Sequence, residues 1–307
     1  MPRLACINID LDGLLHYAAI HGLAADALPA GAADAVDRLA IDRFVALCDG
    51  AGVKGTLFAI GSDLRAHGQG SLRAAARGGH EVGNHTRAHD YALSRRTNEE
   101  IAADIAGGAA DIEAVCGVRP RGFRAPGYTF TAAMYAALVG QNYAYGSSVF
   151  PAAPYYLAKA AVMGALAIKG TPSRSVLDRP RVLTAPVLPY RPDPAEPYRR
   201  GDGAVPELPI TVAPFTRFPF IGTFVTTLPA AMVFALYRSV ARRPFLNLEL
   251  HGIDLLDESD GSGPALAAAQ RDLRVPAAAK LARLTDLFQR IKQDYDVVTL
   301  LDAAAAF

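Results

Sequence analysis

The alternation of apolar runs and helical periodicities sets the first expectations. Leu4 to Leu11 is short, apolar and rich in branched residues, which predicts a buried strand. Ala32 to Ala51 carries Val36, Leu39, Phe44 and Leu47 at helical spacing and ends at Gly50 and Gly52. Gly55 to Ile60 predicts the next strand, Ser71 to Arg77 a helix closed by Gly78 and Gly79, and Glu81 to His85 a strand running into a polar loop. Thr97 to Val115 predicts a helix whose Thr97 and Glu100 form a capping box. Gly122 to Ala125 and Tyr143 to Ser147 predict strands on either side of a helix over Thr131 to Leu138.

Residues 151 to 205 break this rhythm with clustered prolines and a basic set that includes Arg174, Arg179, Arg181, Arg191, Arg199 and Arg200, so an elaborated loop or insertion is expected there. The alternation then resumes with strands over Glu207 to Val212, Phe245 to His251 and Val297 to Leu300, and helices over Pro229 to Arg242 and Val275 to Lys292. Strands separated by helices argue for parallel pairing through crossovers, hence an α/β barrel or a doubly wound sheet.

Composition narrows the class. A chain of 307 residues is long for an ordinary domain but normal for an α/β barrel. The formal net charge of +1, without a long basic run, gives no nucleic-acid surface. Cys6, Cys48 and Cys116 lack metal or redox spacing and read as small apolar filler, as suits a reducing compartment. Met1 to Asp10 has no signal-peptide pattern, so a cytoplasmic protein is expected. The charge-free run Phe218 to Tyr237 is long enough to span a bilayer, but its prolines, glycine and threonines favour a loop followed by a buried helix starting near Pro229.

Chemistry gathers at strand ends. Asp10 and Asp12 in Asn8-Ile9-Asp10-Leu11-Asp12-Gly13 are two apart, so an extended strand puts both carboxylates on one face. They repel unless a cation or proton lies between them, although Asp and Gly are also ordinary turn residues. His85 and His89 are four apart, which on a helical turn places both rings on one side, the spacing that binds one metal. Two imidazoles and one carboxylate make an open metal site with room for water and substrate. Arg124, in Gly122-Phe123-Arg124-Ala125-Pro126-Gly127-Tyr128, can hold a carboxylate by two hydrogen bonds, and the following turn can aim backbone N–H groups inward. His251 closes an alternating strand, where it faces a site if it lies at a barrel mouth. His80 reads as structural.

Together these segments resemble the polysaccharide deacetylases, the NodB-homology group of carbohydrate esterases. His85-Thr86-Arg87-Ala88-His89 is similar to that group's H-[ST]-x-x-H motif, Arg124-Ala125-Pro126-Gly127 to R-x-P-x, and Leu248-Glu249-Leu250-His251 to L-x-[IL]-H. The first motif departs from the usual adjacent aspartates, since Leu11 separates Asp10 from Asp12. That D-x-D form resembles a branch containing peptidoglycan-deacetylase-like proteins and deformylases of lipid-linked aminoarabinose. The group's fourth motif, with Asp and Trp, has no counterpart: the chain has no Trp, and Glu207-Leu208-Pro209 stands near that place.

The resemblance implies a single irregular (β/α) barrel, seven-stranded, over residues 1–307. It implies metal-dependent hydrolysis of an N-acyl amide, acetyl foremost, on a sugar. Asp12, His85 and His89 would hold the metal, zinc first, with nickel, cobalt or manganese able to replace it. Asp10 would be the general base, Arg124 its partner, the Gly127 N–H an oxyanion donor, and His251 the acid for the leaving amine. The implied substrate is an acylated amino sugar in a polysaccharide or on a lipid. Tyr155 to Ile168 and Phe215 to Tyr237 are apolar enough to flank the mouth as a groove for a glycolipid, or else to be ordinary core helices. The basic segment 151–205 could meet a phosphate or a headgroup, giving peripheral contact with the inner membrane face. Two other readings stay open: a deformylase or non-sugar amide hydrolase of this fold, and a silent barrel that only binds a glycan or a partner.

Overall fold

The computed structural model describes residues 3–66, 69–168 and 176–307. Nine strands are found among them: β1 (Leu4–Asp10), β2 (Thr56–Ala59), β3 (Glu81–Asn84), β4 (Gly122–Phe123), β5 (Tyr145–Gly146), β6 (Pro192–Asp193), β7 (Glu196–Arg200), β8 (Phe245–His251) and β9 (Asp296–Val297). The main helices are α1 (Leu14–Ile20), α2 (Ile41–Ala51), α3 (Gly61–Ala66), α4 (Gln69–Arg77), α5 (Asn98–Cys116), α6 (Ala132–Gly140), α7 (Ala153–Ile168), α8 (Gly222–Thr227), α9 (Ala230–Val240), α10 (Gly263–Ala269), α11 (Ala277–Asp294) and α12 (Leu300–Ala304).

Seven of the strands form one curled parallel sheet in the order β5-β4-β3-β2-β1-β8, with β9 also on β1. β1 lies beside β8 along its whole length, Leu4 opposite Phe245 through Asp10 opposite His251. Its other edge is shared, β9 pairing Leu4 and Ala5 and β2 pairing Asn8 to Asp10. The buried Ile7, Ile9, Leu57, Leu248 and Leu250 pack against Phe44 of α2 and Leu287 of α11 in the largest core cluster. A parallel strand covered on both faces is apolar throughout, so the run at Leu4 was legible.

The expected α/β barrel of seven strands is therefore observed. Its closure differs from expectation. Glu207 to Val212 forms no regular strand, because Pro206 and Pro209 cannot donate to a ladder. It still bridges the gap as extended chain: Leu208 N–H donates to the Gly146 carbonyl, Ile210 to Val149, and Thr211 to Asn247 on β8.

The expected insertion is more ordered than a loop. It contains α7, whose Pro154 sits in the first turn where a missing N–H costs nothing, and the antiparallel pair β6-β7. Arg174 lies outside the described residues. α7 is not a core helix either: Leu157, Val162 and Ile168 are 64%, 59% and 90% exposed. The charge-free run breaks at Leu228 and Pro229 into α8 and α9. Among the described residues no helix is long and apolar enough to cross a membrane.

Candidate active site

The parallel arrangement brings the C-terminal ends of β1, β3, β4 and β8 together, and each delivers one part of the site. Asp10 ends β1 and Asp12 follows it; both are buried. His85 follows β3, its N–H held by the Ala59 carbonyl at 2.9 Å. His89 does not reach the site on a helical turn, as its spacing suggested. Residues 85–90 form a loop, with Thr86 at φ 68° and His89 at φ 49°. Left-handed backbone is uncommon outside glycine, and here hydrogen bonds enforce it. Thr86 Oγ1 accepts the His89 N–H at 3.1 Å, and the Asp104 carboxylate of α5 accepts the N–H groups of Arg87 and Ala88 at 3.1 and 3.2 Å.

The result is convergence. His85 Nε2 lies 3.3 Å and His89 Nε2 3.2 Å from Asp12 Oδ1. His85 Nδ1 is 2.9 Å from the Arg124 carbonyl, which accepts its proton and leaves Nε2 with a free lone pair. His89 has no such anchor. Its ring is held by packing, with centroids of His16, His85 and Tyr91 at 4.5, 4.8 and 4.8 Å. Both His89 nitrogens and Asp12 Oδ1 are buried without a hydrogen-bond partner among the described residues. Such orphaned groups are costly, and a divalent cation bound by all three residues would satisfy them. The donor set, two imidazoles and a carboxylate, fits zinc-like ions. Burial pushes His89 down to about 4, so it is neutral near pH 7, the form that ligates. Burial lowers His85 too, but the carboxylates of Asp10 and Asp12 outweigh it and raise its pKa; a cation competes with that proton.

Asp10 meets different partners. It lies 3.9 Å from His85 Nε2 and receives Arg124 Nη1 at 2.7 Å. Arg124 does not grip it with two hydrogen bonds. Its fully buried guanidinium also donates to Asn8 Oδ1, to the Ser147 carbonyl and to Ser147 Oγ at 2.6 to 2.8 Å, and lies over the Phe58 ring. One fork thereby ties β1 to the chain after β5. Burial pushes the Asp10 carboxyl above its ordinary value, and Arg124 pulls it back.

His251 ends β8 on the same cavity. Its Nδ1 lies 2.9 Å from Glu249 Oε1, and its Nε2 lies 3.3 Å from the Tyr128 hydroxyl, which donates to Glu249 at 3.0 Å. Burial lowers the His251 pKa, but Glu249 outweighs it and holds the ring protonated well above its ordinary range. Gly127, at φ 62°, lines the cavity near Tyr91 and the Lys159 ammonium of α7. The sequence reading gave no role to Glu249, Tyr128 or Asn8. Glu249 was detectable, since it stands two residues before His251 on one strand face, as Asp10 does before Asp12.

These groups open into a cavity of about 360 Å³ whose walls include Tyr17, Tyr91, Tyr155, Met163, Ile221 and Ile253. Both apolar segments contribute, so they do flank the mouth. His80 lies elsewhere, buried against the Gly55 N–H at 3.2 Å, as a structural residue.

The fold, and the segment 33–146, are those of the polysaccharide deacetylases: residues 33–146 match the family model for polysaccharide deacetylase. That segment contains His85, His89, Arg124 and Gly127, and excludes Asp10, Asp12 and His251. Among solved structures, the chain is similar to a Mycobacterium smegmatis protein assigned to the polysaccharide deacetylases, at 18% identity and a TM-score of 0.65, covering 99% of this chain and 90% of that one. It is also similar to a carbohydrate esterase family 4 pseudoenzyme from Bacillus anthracis, at 11% identity and a TM-score of 0.52, covering 99% and 66%. A third is the Bc1960 peptidoglycan N-acetylglucosamine deacetylase, at 12% identity and a TM-score of 0.51, covering 98% and 87%. No curated protein matches the sequence.

Proposed function

We propose that the chain hydrolyses the N-acetyl amide of an amino sugar with a divalent cation, zinc first, held by Asp12, His85 and His89. The observation that carries this reading is the trio of buried ligand atoms, all within 4.8 Å of one another, beside an aspartate paired to a buried arginine. When bound, the cation would acidify a water and draw charge from the acyl oxygen.

The chain's own residues supply the rest. Asp10 accepts a proton from the attacking water, and Arg124 fixes the carboxylate that does so. The Gly127 N–H supports the negative charge developing on the acyl oxygen. His251, protonated against Glu249, donates to the leaving nitrogen. The tyrosine-rich wall excludes water and offers faces for a sugar ring. A complete set of base, acid and ligands supports an enzyme over a silent binder, despite the pseudoenzyme among the similar structures.

The test is elemental analysis of the purified protein followed by release assays on N-acetyl- and N-formylglucosamine and their oligomers. The expected result is one divalent ion per chain and acetate released in preference to formate. Formate alone would move the assignment to a deformylase. A protein without stoichiometric metal that releases neither acid would overturn the reading.

A further inference from the structure

Lys159 of α7 is the one lysine among the described residues that lines the cavity. Its Nζ donates one hydrogen bond among the described residues, a long one of 3.4 Å, to the Gly127 carbonyl. Among the described residues no carboxylate lies within ion-pair distance of it. Asp178 acts on it only at longer range, and that carboxyl already accepts from the Tyr198 hydroxyl and from the Arg179 N–H. Lys159 is half-buried, and burial pushes its ammonium down to about 8, which still leaves it charged near neutrality.

The hydroxyls of Tyr17, Tyr91 and Tyr155 line the same cavity and make no hydrogen bond to a described residue. At its floor stand Asp10 and Asp12. Lys159 attracts a negatively charged ligand to its own side of the cavity, which would set the ligand's direction there.

We propose that the substrate carries a phosphate or a carboxylate on the acylated sugar or its immediate neighbour, and that Lys159 receives it. The placement follows from geometry. Lys159 touches the carbonyl of Gly127, whose N–H faces the acyl oxygen in the function proposed above, so the two anchor points meet at one residue. The inference rests on that reading for the position of the amide, and adds the charge of the substrate.

The experiment measures binding by calorimetry to the full chain carrying Asp10→Asn, which prevents turnover. The probes are N-acetylglucosamine, N-acetylglucosamine 1-phosphate and N-acetylmuramic acid. At least one charged sugar is expected to bind tenfold or more tightly than the neutral one, and which of the two does so identifies the anion. Adding Lys159→Met or Lys159→Gln brings the charged-to-neutral ratio within about threefold. A ratio near one before the lysine is changed, or a tenfold ratio that survives both changes, would overturn the proposal. Acetate release by the unmodified chain is scored separately. Acetate released without any preference for charge removes the Lys159 assignment alone. A preference for charge without acetate removes the deacetylase reading alone.

Discussion

Asp10 and Asp12 stand two residues apart at the end of one strand, yet their neighbours give them different work. Asp12 faces two imidazoles; Asp10 faces a guanidinium. The substitution Asp10→Asn should therefore keep the metal while lowering kcat by about 10²- to 10⁴-fold. His89→Ala should lose metal and turnover together. Elemental analysis beside kcat checks both; an Asp10→Asn enzyme with near-normal turnover rules out that residue as the base. Glu249 invites a second test. Its carboxylate keeps His251 protonated against the opposing effect of burial. In Glu249→Gln that support is gone, so the His251 pKa falls and the alkaline limb of the kcat/KM profile should move to lower pH by about one unit or more. An unmoved limb means that His251 is not the acid. Asp12, His85, His89, Arg124 and His251, which the structure gathers at one end of the sheet, were legible because each belongs to a short motif with its own chemistry. Asn8 and Ser147 were not, since a polar residue on an alternating strand looks the same whether it faces water or a buried guanidinium.

At the scale of elements, the polar loop expected after β3 is present, but it brings the two rings together by another geometry than their spacing suggested. A four-residue spacing suggests a helical turn; what brings the rings together is a loop with two left-handed residues, held by Asp104 of α5. The loop lies so close to α5 that a Cβ on Gly108 would sit 2.7 Å from the Thr86 carbonyl carbon and meet Asn84 Oδ1. Helix propensity alone makes Gly→Ala favourable by up to about 1 kcal/mol. At Gly108 the clash with backbone should reverse that sign, costing about 1–3 kcal/mol and weakening metal binding as the loop shifts. Gly107 is the control, because a Cβ there meets only the flexible Arg87 side chain, nearest at Cδ. Denaturant unfolding and metal titration of both variants compare them; equal behaviour would mean that the loop is not braced by α5. Tyr155 to Ile168 was legible as a groove wall or a core helix; α7 is the helix, but it exposes much of its apolar surface instead of burying it in the core.

For the molecule as a whole, the alternation of strand and helix disclosed the parallel sheet, whereas its closure depends on contacts that periodicity does not encode. Pro206 and Pro209 deny the closing segment a ladder, and a side chain takes over part of the work. Glu207 Oε1 accepts the N–H groups of Ser148 and Val149 at 2.6 and 2.7 Å, tying the segment to the chain after β5, while Oε2 is buried without a hydrogen-bond partner among the described residues. Burial pushes this carboxyl from its ordinary 4.5 up to about 7. Between those values the folded protein keeps a proton that the unfolded chain has released. Stability from this group is thus complete below pH 4.5 and falls as pH rises through 7. The loss amounts to about 3 kcal/mol. Glu207→Gln removes the titration and keeps an acceptor for the two N–H groups. Relative to the parent chain, that variant should gain about 3 kcal/mol between pH 4.5 and pH 8 in urea unfolding, other titrations cancelling in the comparison. Parallel pH dependences for the two chains would show that Glu207 carries no excess proton in the fold, and that barrel closure here is indifferent to its charge.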